Sequence, residues 1–185
     1  LDVGNAALSL TTPFLVDRGT GKMPTDAKSV QADLTLLTGS SLTIAAPANT
    51  AVVAPTTPLA AGARLAFGSL ANPIQSVSIA SALLRASAGT IDIKAQGDIV
   101  LTGNATLSTP SYSQKLGDAA DAVTVSANGG TVALLSKTGG IDLGASTAIN
   151  IGGTSGKAGS VRLIAAEGLV TMAGAINAAA PDAGA

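Results

Sequence analysis

Gly130-Thr-Val-Ala-Leu-Leu-Ser-Lys-Thr-Gly-Gly-Ile-Asp-Leu-Gly-Ala145 is the stretch on which the fold turns. Gly130 is followed by Val132 and Leu134 at alternate positions and by the small Ser136. Gly139 opens the same figure again with Ile141, Leu143 and Ala145. Apolar residues at period two predict short strands with one buried and one wet face. The two-part figure recurs upstream as Gly89, Ile91, Ile93, Ala95, then Gly97, Ile99, Leu101, Gly103. It recurs downstream as Gly159, Val161, Leu163, Ala165, then Gly168, Val170, Met172, Gly174. Copies of one unit along a chain are the mark of a repeat architecture. A Gly before each strand predicts a sharp corner, and the positive φ such a corner can demand is one reason to place Gly there.

Further apolar pairs follow or close each unit, at Val123 and Val125, at Ile149 and Ile151, and around Leu107 and Ile176. Three strands per unit is the count of a β-helix rung. Weaker copies start at Leu8 (with Leu10), at Leu34 (with Leu36, then Leu42 and Ile44) and at Leu65 (with Phe67, then Val77 and Ile79). The first apolar residues therefore fall at 8, 34, 65, 91, 132 and 161, a coil of near-constant length with variable loops. Six rungs at the ordinary inter-strand spacing make a rod about 29 Å long. Asn128-Gly129 is the single hairpin-type dipeptide, so the pattern favours coils stacked in parallel over an antiparallel sandwich. Ile99, Ile141 and Val170 are then one inner ladder, and Ile91, Val132 and Val161 another.

The fold class expected is all-β, a parallel β-helix of about six rungs spanning residues 1–185 as a single unit. Pro13 to Ala32 and Thr109 to Ala120 lack alternation and are expected as loop excursions, and Ala178 to Ala185 as an unpaired, mobile tail. Helical content should be low; Ile79 to Ala86 has helix propensity, but its neighbours favour a strand or turn. Each coil is covered only by its neighbours, so the end rungs need caps, and neither end of the sequence resembles one.

Composition agrees and removes several functions. The 185 residues are 46% hydrophobic but only 2% aromatic, with no Trp, Cys or His. Such a core is narrow and built of small and branched side chains. Mean hydropathy is +0.47, yet no run of about 18 apolar residues exists to cross a bilayer. Ten basic against eleven acidic residues leave a net charge of −1, which does not gather phosphate, so nucleic acid is not an expected partner. Without Cys there are no disulfides or thiolate metal sites, and no metal or cofactor is expected. A first residue Leu1, with neither Met nor signal peptide, suits a processed or excised segment.

The units from Gly130 and Gly159 resemble those of filamentous haemagglutinin-like exoproteins, well over residues 89–180 and loosely before. That resemblance implies a right-handed parallel β-helix in the shaft of a large adhesin or toxin-bearing exoprotein, secreted to the surface of a Gram-negative bacterium. It also implies an outer-membrane β-barrel transporter as partner of the parent chain, the two-partner secretion arrangement. Host-cell or bacterial surface receptors or glycans are further implied partners, beside neighbouring rungs of the same rod. The family's secretion domain carries Asn-Pro-Asn motifs. Here the only Asn-Pro, Asn72-Pro73, is followed by Ile74, which points to a distal shaft segment.

Chemistry-bearing residues were weighed against plain structural roles. Gly152-Gly-Thr-Ser-Gly-Lys157-Ala158 suggests a phosphate loop, but Ile151 stands where its first Gly belongs and Ala158 where its hydroxyl belongs, so a turn is expected. Asp92, Asp98 and Asp142 could serve a polysaccharide-cleaving face as acid and base. They sit where charge is expected anyway, and Asp142 aligns with Val100 and Thr171, so no acidic ladder forms. Calcium-binding Gly-Gly-x-Gly-x-Asp repeats do not occur, and Asn104-Ala-Thr106 is only a three-residue glycosylation match. Tyr112, expected exposed in the 109–120 loop near Lys115, could stack on a sugar or protein partner; a ring folded over its own loop is the plainer reading. The expected function is therefore structural, a shaft segment for surface display and adhesion without catalysis. The alternatives are a polysaccharide-degrading enzyme and a glycan- or receptor-binding module.

Overall fold

The structure, a computed structural model, describes residues 1, 4–12, 14–16, 34–47, 62–116, 123–153 and 156–179. Its strands in chain order are β1 (Leu8–Thr11), β2 (Phe14–Val16), β3 (Leu34–Leu36), β4 (Ser41–Ala45), β5 (Arg64–Phe67), β6 (Ser76–Ala80), β7 (Leu83–Arg85), β8 (Thr90–Ala95) and β9 (Ile99–Thr102). They continue as β10 (Thr106–Ser108), β11 (Tyr112–Leu116), β12 (Val123–Ala127), β13 (Thr131–Ser136), β14 (Ile141–Leu143), β15 (Ala148–Asn150), β16 (Ser160–Ala165), β17 (Val170–Met172) and β18 (Ala175–Asn177).

Three parallel sheets take one strand each from successive coils. The first has the order β3-β5-β8-β13-β16, the second β1-β4-β6-β9-β14-β17 and the third β2-β7-β10-β15-β18. This is a parallel β-helix. The register is the one that alternation predicts: Leu34, Leu65, Ile91, Val132 and Val161 stack in the first sheet. Leu42, Val77, Ile99, Ile141 and Val170 stack in the second. The third strand of the best-formed coils is centred on Leu84, Leu107, Ile149 and Ile176. Inward residues form one continuous core, and Ile79, Leu84, Ile91, Ile93, Ile99, Leu101 and Leu107 are fully buried in it. Burying each such side chain contributes roughly 1.5–3 kcal/mol, so the ladder is the main source of stability.

Four details depart from the pattern read in the sequence. Leu8 and Leu10 pair with Leu42 and Ile44, placing β1 in the second sheet and not the first. The first-sheet position of that coil is held by Leu1, whose amino group donates to Thr35 O and whose carbonyl accepts from Leu37 N. Val123 and Val125 are not a rung's third pair: β12 runs antiparallel to β11 as a hairpin, Tyr112 facing Ala127. The stretch expected as a plain loop at 109–120 is therefore partly the first arm of that hairpin, which leaves the rod after the third sheet and returns before β13. Of the excursion expected at 13–32, Phe14–Val16 form β2 beside β7, and the remainder lies outside the described residues. At the other end Ala179 O accepts from Gly153 N, while residues 180–185, the rest of the expected tail, lie outside them too.

The fourth departure concerns the glycines. Those that open strands do not have positive φ; among the described glycines that conformation belongs to Gly4, Gly62, Gly68, Gly103 and Gly156. Their role is close approach. A Cβ on Gly130 would stand 1.9 Å from Gly89 O, one on Gly159 1.9 Å from Gly130 O, and one on Gly168 2.2 Å from Gly139 O. Coils can touch at these corners only where the side chain is a hydrogen. Left-handed backbone appears at the other corners, and it falls on Ser81 (φ 53°) and Ala88 (φ 50°) as well as on Gly103.

Candidate functional site

Outward positions of a coil rise in ladders, so a site on this fold needs polar side chains from adjacent coils at matching register. Asp92 lies on β8 in the first sheet, where its carboxylate pairs with Arg64 Nη2 at 3.0 Å and with Lys94 Nζ. Lys94 shares its strand face two residues on, and Arg64 comes from the coil before. The group is a small ion-pair network that crosses two coils.

Asp98 and Asp142 belong to the second sheet instead. Asp98 sits at the corner before β9, and its Oδ1 accepts from Gly140 N at 2.8 Å in the next coil. Its carboxylate thereby satisfies a corner amide that no strand partner reaches. Asp142 is exposed on β14, flanked in register by Val100 and Thr171. Asp98, Val100, Gly140, Asp142, Leu169 and Thr171 surround an open depression of about 290 Å³. The structure thus brings Asp98 and Asp142 to one groove and leaves Asp92 on another sheet, so the three carboxylates do not form one constellation. Asp98 is already engaged as an acceptor, and the groove offers Asp142, a Thr hydroxyl and an aliphatic rim.

Tyr112 is buried rather than exposed, at 6% of its surface, at the base of the hairpin. Its register partner Ala127 and the corner at Pro110 to Ser111 flank it, so the ring has little area to offer a ligand. Lys115 is on the same arm opposite Thr124, and its side chain lies outside the described detail. The hairpin therefore carries both residues without making them a joint surface.

The glycine-rich stretch near Lys157 closes a corner between the third and first sheets. Lys157 N donates to Asn128 Oδ1 at 2.9 Å, Gly129 N donates to Lys157 O, and Lys157 is exposed. A phosphate loop must open into a helix, and the described residues contain none. Asn104 is exposed at the turn before β10, where its carbonyl accepts from Thr106 Oγ1 at 3.3 Å.

Hydroxyls and amides that alternation did not single out are used between coils. Ser136, fully buried, donates to Gly97 O and accepts from Gly139 N, tying two coils at one corner. Thr147 Oγ1 donates to Gly144 O, and Thr38 Oγ1 to Ala6 O. Asn150 and Asn177 stack on the third sheet, with Asn177 Nδ2 donating to Asn150 Oδ1 at 2.6 Å. The signal for this pair was present in the sequence as the repeated Ala-Ile-Asn of 148–150 and 175–177. Among the described residues no three acidic, His or Cys side chains gather to hold a metal ion, and no helix is long and apolar enough to cross a membrane.

No protein-family model, curated protein or solved structure matches the chain.

Proposed function

We propose that this chain is a structural segment of a secreted bacterial surface exoprotein of the filamentous haemagglutinin-like kind, a stretch of shaft that displays an adhesive or toxic module and catalyses nothing itself. The observation that carries the reading is the use of polar groups. Asp98, Ser136, Thr147, Thr38 and the Asn150–Asn177 pair are spent on bonds at corners and between coils, and Asp92 on the Arg64 and Lys94 pair. A catalytic face needs groups aimed at a common reacting atom. A shaft needs each coil fastened to the next, as these are. Two-partner secretion through an outer-membrane β-barrel and a location at the cell surface belong to the same proposal, on the strength of the repeat resemblance.

The chain should release neither reducing nor unsaturated ends from a panel of acidic polysaccharides. Turnover lost in Asp142→Ala would replace the shaft reading with the enzyme. The chain should also show no signal on a glycan array. Saturable binding that disappears when residues 113–126 are replaced by a two-residue turn would make the hairpin a recognition element and the segment a binding module.

A further inference from the structure

We propose that the C-terminal coil of this chain pairs end-on with the N-terminal coil of a second copy, so that the rod lengthens by head-to-tail stacking. The inference goes beyond the shaft reading, which concerns coils stacked within one chain. At one pole the outermost strands are β16, β17 and β18, and at the other β3, β1 and β2, one in each sheet. Every pairing within the three sheets is parallel, so strands at both poles run the same way. A second copy translated along the rod therefore meets β17 with β1, β16 with β3 and β18 with β2, repeating the coil-on-coil contact already made throughout the molecule.

Side chains at the two poles suit that contact. Val170, Met172 and Ile176 are 44%, 51% and 39% exposed, while Ile141, Leu143 and Ile149 at the same positions one coil back are 1–2% exposed. The sole difference of position is a covering coil. Leu8, Leu10 and Leu34 at the opposite pole are only partly buried against the core. Stacking in the existing register sets Val170 on Leu8, Met172 on Leu10 and Val161 on Leu34. Exposed sheet edges are ordinarily blunted by charge, Pro or a bulge, and repeat rods by a polar cap. None of these protects β17 (Val-Thr-Met) or β18 (Ala-Ile-Asn), and β1 and β3 carry no charge either. The single charge on an edge strand of the C-terminal pole, Arg162 of β16, meets uncharged Thr35 in this register. A second copy is the occupant favoured because it supplies three strands of matching polarity, spacing and apolar pattern at once.

The two faces differ, so the contact is heterologous and does not close; it yields open chains of copies rather than a symmetric dimer. Sedimentation of the 185-residue chain over a wide concentration range should show a ladder of species that grows with concentration. Val170→Lys with Met172→Lys disables one pole, and Leu8→Lys the other. Each variant alone should sediment as a monomer with the circular dichroism of the parent. An equimolar mixture should stop at a dimer, joined by the one intact pole of each. A parent that stays monomeric throughout overturns the proposal and leaves the shaft reading standing on its own assays. So does a Leu8→Lys chain that still dimerises alone, which would mean like poles meeting, or a ladder that both variants leave unchanged. If Leu8→Lys unfolds, Ser9→Lys on the outer face of the same edge strand takes its place, with the same expected monomer.

Discussion

Ile141 and Asp142 are adjacent in sequence and opposite in physical situation. Ile141 is 1% exposed between Ile99 and Val170, whereas Asp142 is exposed on the outer face. An unpaired carboxylate in the inner ladder has neither water nor a partner, so Ile141→Asp should cost several kcal/mol, and Asp142→Asn less than about 0.5 kcal/mol. Urea denaturation of both variants checks this, and the reverse order would mean that the inward and outward assignments are exchanged. The glycines make a second pair. Gly130→Ala drives a Cβ against the backbone of Gly89, which has no flexible end to yield, and should destabilise by on the order of 3 kcal/mol. Ala88→Gly acts in the other direction. Relief of a left-handed Ala, worth roughly 1–2 kcal/mol, outweighs the extra freedom of Gly in the unfolded chain, and stability should rise by about 0.5 kcal/mol. A thermal melt separates these outcomes. If Gly130→Ala were silent, the coils would not approach as closely as the corner requires.

Strands were legible in the sequence where both halves of the unit are strong, as at Ile91, Val132 and Val161, whose ladder alternation alone placed correctly. Alternation says that a face is buried but not which of three sheets it belongs to. Leu8 was accordingly assigned one strand too early, because its coil holds the first sheet with Leu1 rather than with a strand of its own. Val123 and Val125 alternate as well as any rung strand, and only the antiparallel partner β11 distinguishes them. Glycine before a strand signalled a corner correctly, while the cause, contact between coils, depends on residues tens of positions away. The candidate site was legible residue by residue and not as a group: nothing local separates Asp92 on the first sheet from Asp98 on the second. The hairpin yields a prediction at this scale. Tyr112 and Ala127 face each other, so an Asn-Gly turn can replace residues 113–126. Stability measured in urea should change by less than about 1 kcal/mol, since the loss is local and the shorter loop is cheaper to close. Global unfolding of that variant would show the hairpin to be part of the rod.

The whole molecule is a one-dimensional stack in which each coil is held by its neighbours, and the terms that hold it are apolar ladders inside and corner bonds outside. Its claim to be a parallel β-helix rests on residues far apart in sequence standing one coil apart in space. The chain has no cysteine, so pairs of introduced thiols report that placement without interference. Neighbouring outward positions of adjacent strands fall within the Cα separation a disulfide allows, about 4.4–6.8 Å, while positions two coils apart stand about 10 Å away. Val100 and Asp142 are register partners, and Ser78 is the next position down the same ladder. Under mild oxidation, the double variant Val100→Cys with Asp142→Cys should form an intramolecular disulfide readily, and Ser78→Cys with Asp142→Cys should not. A bridge that forms between 78 and 142 in preference to 100 and 142 would contradict the coil order and register on which the account stands.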